Sequence, residues 1–178
     1  MSGEANWSRG YVQVYTGDGK GKTTAALGLA LRAAGAGLKV YFTQFCKGRD
    51  SSEHAALQRV SDLITWSHSG SSSFIVDKPT PEDIAQAEEN LRALRTALVS
   101  GKYRVVIADE LNVAVDLGLV TVDQALELIE ARPMNVELVL TGRNAPPEIV
   151  MRADLVTEML AVKHPYHEGV KARRGVEY

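Results

Sequence analysis

The sequence predicts an α/β fold with a mainly parallel sheet, and three observations lead to it. Short β-branched and apolar runs alternate with helical stretches along the whole chain, as they do where parallel strands are joined by helical crossovers. The stretch Tyr11–Thr24, Y-V-Q-V-Y-T-G-D-G-K-G-K-T-T, passes from a strand through a glycine-rich turn into a helix. A third run, Arg104–Glu110, is an apolar strand that ends in two acids. The 178 residues suit one domain with a proper core.

The elements follow in order. Residues 1–10 are polar and form a short N-terminal arm; residues 11–178 form the domain. Tyr11, Val12, Val14 and Tyr15 make the first strand. The helix from Thr23 runs to Gly35 and Gly37, glycines suited to a C-terminal cap. Lys39–Phe45 is β-branched and aromatic, a second strand. A helix spans about Glu53–Val60, and Leu63–His68 is a strand with Trp66 inside it. A Ser/Gly-rich loop then carries the aromatic Phe74.

Thr80 caps the next helix, with Pro81 at its first position and Glu82 and Asp83 in its first turn. Ile84, Ala87, Leu91, Leu94 and Leu98 form one stripe of that helix, which reaches about Ser100. After the Arg104–Glu110 strand, Leu111–Leu117 is helical. Thr121 caps a helix to Ala131, which Pro133 stops. Val136–Thr141 is a strand closed by Gly142-Arg143. A short helix follows Pro146-Pro147, and Leu155–Val162 forms the last strand before a polar, basic tail.

Composition narrows the function. A net charge of −2 gives no electrostatic case for nucleic acid or an anionic membrane. The single cysteine, Cys46, excludes an internal disulfide and fits a reducing compartment. No signal-like apolar core opens the chain, and no apolar run approaches the ~18 residues of a membrane span. A cytoplasmic protein is expected.

The glycine-rich turn is a phosphate-binding loop. Gly17, Gly19 and Gly21 let backbone N–H groups surround an anion without Cβ obstruction. The helix behind adds its positive end. Lys22 brings a point charge to a phosphate oxygen, and the Thr23 hydroxyl can ligate Mg²⁺. G-x-x-x-x-G-K-[ST] would put glycine at Thr16, so the match departs there. A dinucleotide fingerprint fails, since it would need glycine at Lys22.

Asp109 and Glu110 end a buried strand beside this loop, where one carboxylate with Thr23 and phosphate oxygens would complete a Mg²⁺ site. Arg143, also at a strand end, can hold a phosphate through its planar fork. In a parallel sheet these strand ends gather at one edge. His164 and His167 flank Pro165-Tyr166 without a second ligand pair, which favours non-metal roles. No Cys/His partnership is legible for Cys46.

Taken together, T-G-D-G-K-G-K-T-T-A-A, Q-F-C-K-G, V-V-I-A-D-E-L, L-V-L-T-G-R and V-K-H-P-Y-H-E-G-V-K-A-R-R-G-V-E-Y resemble the P-loop type of ATP:corrinoid adenosyltransferase, from Val12 to Tyr178. That family also carries Thr before the first loop glycine, and its closing block is absent from generic P-loop ATPases. The resemblance implies a single-domain, P-loop NTPase-like three-layer sandwich. It implies transfer of the 5′-deoxyadenosyl group of ATP to a cobalt(I) corrinoid with release of triphosphate, in cobalamin biosynthesis or salvage.

Cobalt(I) is itself the nucleophile, so no general base is needed, and the sequence shows none. The implied catalytic residues are Lys22, Thr23 and Glu110, with Thr23 and Glu110 at Mg²⁺. The implied nucleotide contacts are Gly17, Asp18, Gly19, Lys20, Gly21, Lys22, Thr23, Thr24, Arg32 and Arg143. Phe74 stands where the family places the first of a Phe-x-Trp pair over the corrinoid; Val76 stands in the second position. The family's Q-F-I-K-G has Cys46 at its third place here. A homodimer, with the arm reaching a neighbour's site, and an electron donor such as a reduced flavoprotein complete the expectation. The alternative is a P-loop ATPase switch yielding ADP and phosphate. A small-molecule kinase would need an arginine-rich lid, which the chain lacks.

Overall fold

A computed structural model describes residues 7–46, 52–57, 59, 62–68 and 78–177. Six strands form one sheet: β1 (Val12–Thr16), β2 (Val40–Gln44), β3 (Ile64–His68), β4 (Val105–Asp109), β5 (Glu137–Thr141) and β6 (Leu155–Glu158). Their order is β3-β2-β4-β5-β1-β6, and every pairing is parallel. The last strand is shorter than the sequence pattern suggests. It stops at Glu158 because the chain then turns across the glycine-rich loop, where the Met159 amide donates to the Thr16 carbonyl.

Strand alternation divides the core in two. Val40 and Phe42, Val105 and Ile107, and Val139 face one side of the sheet. They meet Ala26, Ala30 and Ala33 of helix α1 (Lys22–Gly35) and Leu57 of α2 (Ser52–Leu57). Alanines at these spacings bury little area but let the α1 backbone approach the sheet closely. Trp66 stacks on Phe42 at 4.6 Å between ring centroids, extending this face onto β3.

The opposite face takes Val12, Val14, Tyr41, Val106, Leu138 and Leu140. Over it lie α3 (Pro81–Val99), α4 (Leu111–Asp116), α5 (Val122–Glu130) and α6 (Pro147–Arg152). Leu94 and Leu98 of α3 and Leu128 of α5 are fully buried there. Thr80 and Thr121 close capping boxes at the starts of α3 and α5, so both helices begin where the sequence places them. The result is helix, sheet and helix in three layers.

The end of the N-terminal arm packs at the amino edge of the sheet. The Arg104 guanidinium donates to the Trp7 carbonyl at 2.7 Å and lies over the indole ring, and the Gly10 amide donates to the Met134 carbonyl. None of the described helices is long and apolar enough to cross a membrane.

Candidate functional site

Parallel strands end at one edge, and the chemistry collects there. Thr16, Gln44, Asp109 and Thr141 are the last residues of β1, β2, β4 and β5. The register sets Gln44 beside Asp109. Asp109 is completely buried, and three side chains from three elements bind its carboxylate. Thr23 donates to Oδ2 at 3.1 Å, Gln44 Nε2 donates to the same oxygen at 2.6 Å, and Thr141 donates to Oδ1 at 2.6 Å. The Glu110 amide in turn donates to the Thr141 hydroxyl at 3.0 Å, which fixes the direction of that chain.

A cleft of about 490 Å³ opens above this hub. Asp18, Gly19, Lys20, Gly21, Lys22, Thr23 and Thr24 form its floor, and Glu110, Arg143 and His164 reach it from other segments. Glu110 has a left-handed backbone at φ 60°, which breaks the strand after Asp109 and sends the chain straight into α4. Arg143 Nε lies 4.0 Å from Asp18 Oδ1.

Lys22, at the start of α1, is buried, and its ammonium donates to the Gly17 and Gly19 carbonyls at 2.7 and 2.8 Å. Burial pushes its pKa below the ordinary lysine value; Glu110 pulls it back up, and the Arg143 charge lowers it further. Three cationic side chains, Lys20, Lys22 and Arg143, and the amino end of a 14-residue helix therefore face a polar cleft. That is a setting for a polyanion.

The loop glycines answer to a neighbour as well as to a ligand. A Cβ on Gly17 would lie 2.5 Å from the Met159 carbonyl oxygen, and one on Gly19 would lie 2.6 Å from it. The Gly19 amide donates to that carbonyl at 2.6 Å, so this N–H is engaged by the chain rather than turned to an anion.

The closing segment folds back over the same loop. Lys20 Nζ donates to the Val176 carbonyl at 2.8 Å and to Glu177 Oε1 at 3.0 Å. Glu177 is gripped by Arg173 through its backbone amide and guanidinium. Gly175, Val176 and Glu177 thereby line the cleft. His164 caps the turn Pro165–Glu168, its Nδ1 accepting from the Tyr166 amide.

Asp18, Gly19, Lys20, Gly21, Lys22, Thr23, Thr24, Glu110 and Arg143 come together around the cleft. Gly17 lies just behind, contributing its carbonyl to Lys22. Arg32 does not line the cleft; it sits on the exposed last turn of α1, roughly 15 Å along the helix from Lys22 at 1.5 Å per residue. Phe74 and Val76 lie outside the described residues.

Sequence reasoning passed over Gln44 and Thr141 as contributors, and gave the metal role to Glu110 while Asp109 holds the direct contact with Thr23. Strand-end position was the available signal for all three. Cys46, at φ 55°, stays off the cleft, with burial and nearby carboxylates pushing its thiol up to about 12.

The family of the ATP:corrinoid adenosyltransferases BtuR/CobO/CobP matches over residues 8–178. A corrinoid adenosyltransferase of Pseudomonas aeruginosa is 38% identical over 176 residues, which cover 98% of this chain and 87% of that protein. The corrinoid adenosyltransferase of Escherichia coli strain K12 is 33% identical, over 98% of this chain and 89% of its own. One from Sinorhizobium sp is 32% identical, over 96% and 81%.

Proposed function

The chain belongs to the ATP:corrinoid adenosyltransferase family, and from that premise we propose how its own residues carry the transfer of the adenosyl group of ATP to a corrinoid. The triphosphate lies in the cleft over the glycine-rich loop and departs as one piece. Carbon 5′ of the ribose bonds to cobalt(I), which supplies the electron pair, and the bond from that carbon to the triphosphate oxygen breaks. No proton moves in this step, so none of the carboxylates or the imidazole at the cleft is required as a base. The protein's tasks are alignment and stabilisation of the leaving group.

Lys22 and Arg143 meet the charge that accumulates on the departing triphosphate. The remaining loop amides and the amino end of α1 add to it. Asp18, Lys20 and Thr24 line the same path. Arg32 enters this reading as a contact for the far end of a nucleotide extended along α1. Phe74 is assigned to the corrinoid face, where an apolar ring excludes water and a lower ligand from cobalt.

Mg²⁺ fits the oxygen atoms present. The Thr23 hydroxyl gives its hydrogen to Asp109, leaving its oxygen lone pairs for a cation. Glu110 lines the cleft, and the Gln44 amide oxygen is buried without a hydrogen-bond partner. Thr23 and Glu110 would hold the ion, with Asp109 behind them. The ion when bound supplies charge neutralisation along the triphosphate.

Residues 11–178 act as one domain, and the active species is a homodimer whose N-terminal arms approach the neighbour's site. The enzyme works in the cytoplasm and takes electrons from a donor such as a reduced flavoprotein.

The observation that carries this reading is the return of the tail to the phosphate loop. His164 and Gly175–Glu177 belong to the block that ordinary ATPase switches lack, and they line the cleft of Lys22 and Thr23. The test is product identity with ATP, Mg²⁺ and a chemically reduced corrinoid. Phosphorus NMR should show triphosphate formed in proportion to adenosylated corrinoid. ADP and phosphate as the corrinoid-dependent products would replace this reading with the ATPase switch.

A further inference from the structure

The buried hub beneath the cleft holds one polar atom whose bonding is incomplete. Gln44 is 1% exposed. Its Nε2 lies 2.6 Å from Asp109 Oδ2. An ionised carboxylate only accepts, so the amide orientation is fixed: nitrogen toward Asp109, oxygen away. The Thr23 and Thr141 hydroxyls also give their hydrogens to this carboxylate. Thr141 cannot serve the Gln44 oxygen instead, because its hydrogen goes to Asp109 Oδ1 while its own oxygen accepts from the Glu110 amide. Gln44 Oε1 is left buried with no hydrogen-bond partner.

Gln44 is also held from behind. Asn90 of α3, fully buried, donates to the Gln44 carbonyl at 3.2 Å and accepts from Thr43 at 2.6 Å. This bracket fixes the backbone at the end of β2, and the bond from Nε2 to Asp109 holds the side-chain amide. A buried acceptor left unmatched is unfavourable, and proteins retain such groups where a ligand or its water completes them. The Oε1 atom is two bonds from Nε2, beside the carboxylate that receives the Thr23 hydroxyl. Mg²⁺ keeps several waters, each of which is a hydrogen-bond donor in need of an acceptor.

We propose that Gln44 is a positioning residue for the cation of the nucleotide complex. Its Nε2 fixes the Asp109 carboxylate, and its Oε1 accepts a hydrogen bond from a water of the cation's shell. This rests on the reading of the cleft as a metal–triphosphate site and adds a specific oxygen to it.

The probe is Mn²⁺ in the presence of ATP, with free ion counted by electron paramagnetic resonance and no corrinoid added. The parent chain is titrated first, and absence of ATP-dependent Mn²⁺ binding there would overturn the site reading itself. Gln44→Met keeps the length of the side chain and removes both polar ends. It should weaken Mn²⁺ binding by on the order of 10- to 100-fold, as loss of an outer-shell partner does. Gln44→Glu loses the donor to Asp109 but keeps an oxygen at Oε1, and should bind Mn²⁺ more tightly than Gln44→Met.

Mn²⁺ binding by Gln44→Glu no tighter than by Gln44→Met overturns the proposal while leaving the site reading intact. So does Mn²⁺ affinity in Gln44→Met within about twofold of the parent, well short of the loss expected for an outer-shell partner. A crystal structure of the parent with Mn²⁺ and ATP decides the matter without any variant. A metal-bound water within about 3.2 Å of Oε1 is the expected result, and none there overturns the proposal.

Discussion

The Lys20 ammonium stands 3.0 Å from the Glu177 carboxylate, fastening the end of the chain to the middle of the glycine-rich loop. Hydrogen bonds from Arg173, first its side chain and then its amide, and then Lys20, hold the Glu177 carboxyl down at about 2. The folded value lies below the unfolded one, so this fastening is fully present above the ordinary carboxylate range and is lost as pH falls through about 2. Carbon-detected NMR of the Glu177 carboxyl should show that midpoint. Glu177→Gln should expose Arg173 and Arg174 to trypsin at neutral pH; cleavage at the parent's rate would mean the tail is held by other contacts.

Lys22→Ala and Thr23→Ala should each lower turnover by on the order of 10²–10³, the usual loss for a contact made to charge developing in the transition state. Turnover near that of the parent at saturating ATP and Mg²⁺ would reject the assigned roles. The pH profile should carry the Lys22 signature. Burial depresses its pKa, so ATP affinity should fall as pH rises through that lowered value, earlier than for a free lysine. Folding stability moves the other way: between the lowered and the ordinary lysine pKa the unfolded chain binds more protons, so stability rises with pH.

Cys46 should be inert. Its thiol is pushed up to about 12 by burial first and then by Glu110 and Asp83, so almost no thiolate exists near neutral pH. A chromogenic disulfide reagent at pH 8 should react slowly with the native chain and rapidly after denaturation. Equal rates would place the thiol in solvent.

Two glycines make a matched pair. A Cβ on Gly19 would press on the Met159 and Leu160 carbonyl oxygens at 2.6 and 2.7 Å, and backbone cannot yield as a side chain tip can. Gly28, inside α1, has nothing within 4 Å of its added Cβ. Gly28→Ala should raise stability by roughly 0.4–1 kcal/mol through reduced freedom of the unfolded chain. Gly19→Ala should lower it and shift the segment after β6. Calorimetry on both separates these signs, and stabilisation by Gly19→Ala would contradict the close approach.

The parts legible in the sequence were those with local signals. The Thr80 and Thr121 caps, the strand–glycine–helix passage and the short apolar, β-branched runs of β2, β4 and β5 each sit within a few neighbouring residues. Gln44 was opaque because its partner Asp109 is 65 positions away, and only the pairing of β2 with β4 joins them. The tail showed as polar and basic, but its return onto Lys20 spans 156 positions and depends on where β6 releases the chain. Arg32 looks close to the loop along the sequence, yet the rise of α1 carries it to the opposite end of that helix.

The neighbouring acids Asp109 and Glu110 should separate under substitution, because the backbone turn between them gives them different surroundings. Asp109 is fully buried with three side-chain donors, whereas Glu110, across the left-handed kink, reaches the cleft wall. Asp109→Asn replaces one acceptor oxygen by a donor, so at least one of the Thr23, Gln44 and Thr141 hydrogens faces an amide nitrogen. An unsatisfied buried group costs about 1–3 kcal/mol, which in a chain of this size lowers the melting temperature by roughly 2–4 °C per kcal/mol. Glu110→Gln leaves the three donors to Asp109 untouched and should destabilise the chain less than Asp109→Asn does. Turnover should fall in both, since one acid holds Thr23 and the other faces the triphosphate path. Thermal melts read beside single-turnover rates give the comparison. Equal destabilisation by the two substitutions would show that Glu110 belongs to the buried hub, and full activity in Glu110→Gln would remove it from the metal site.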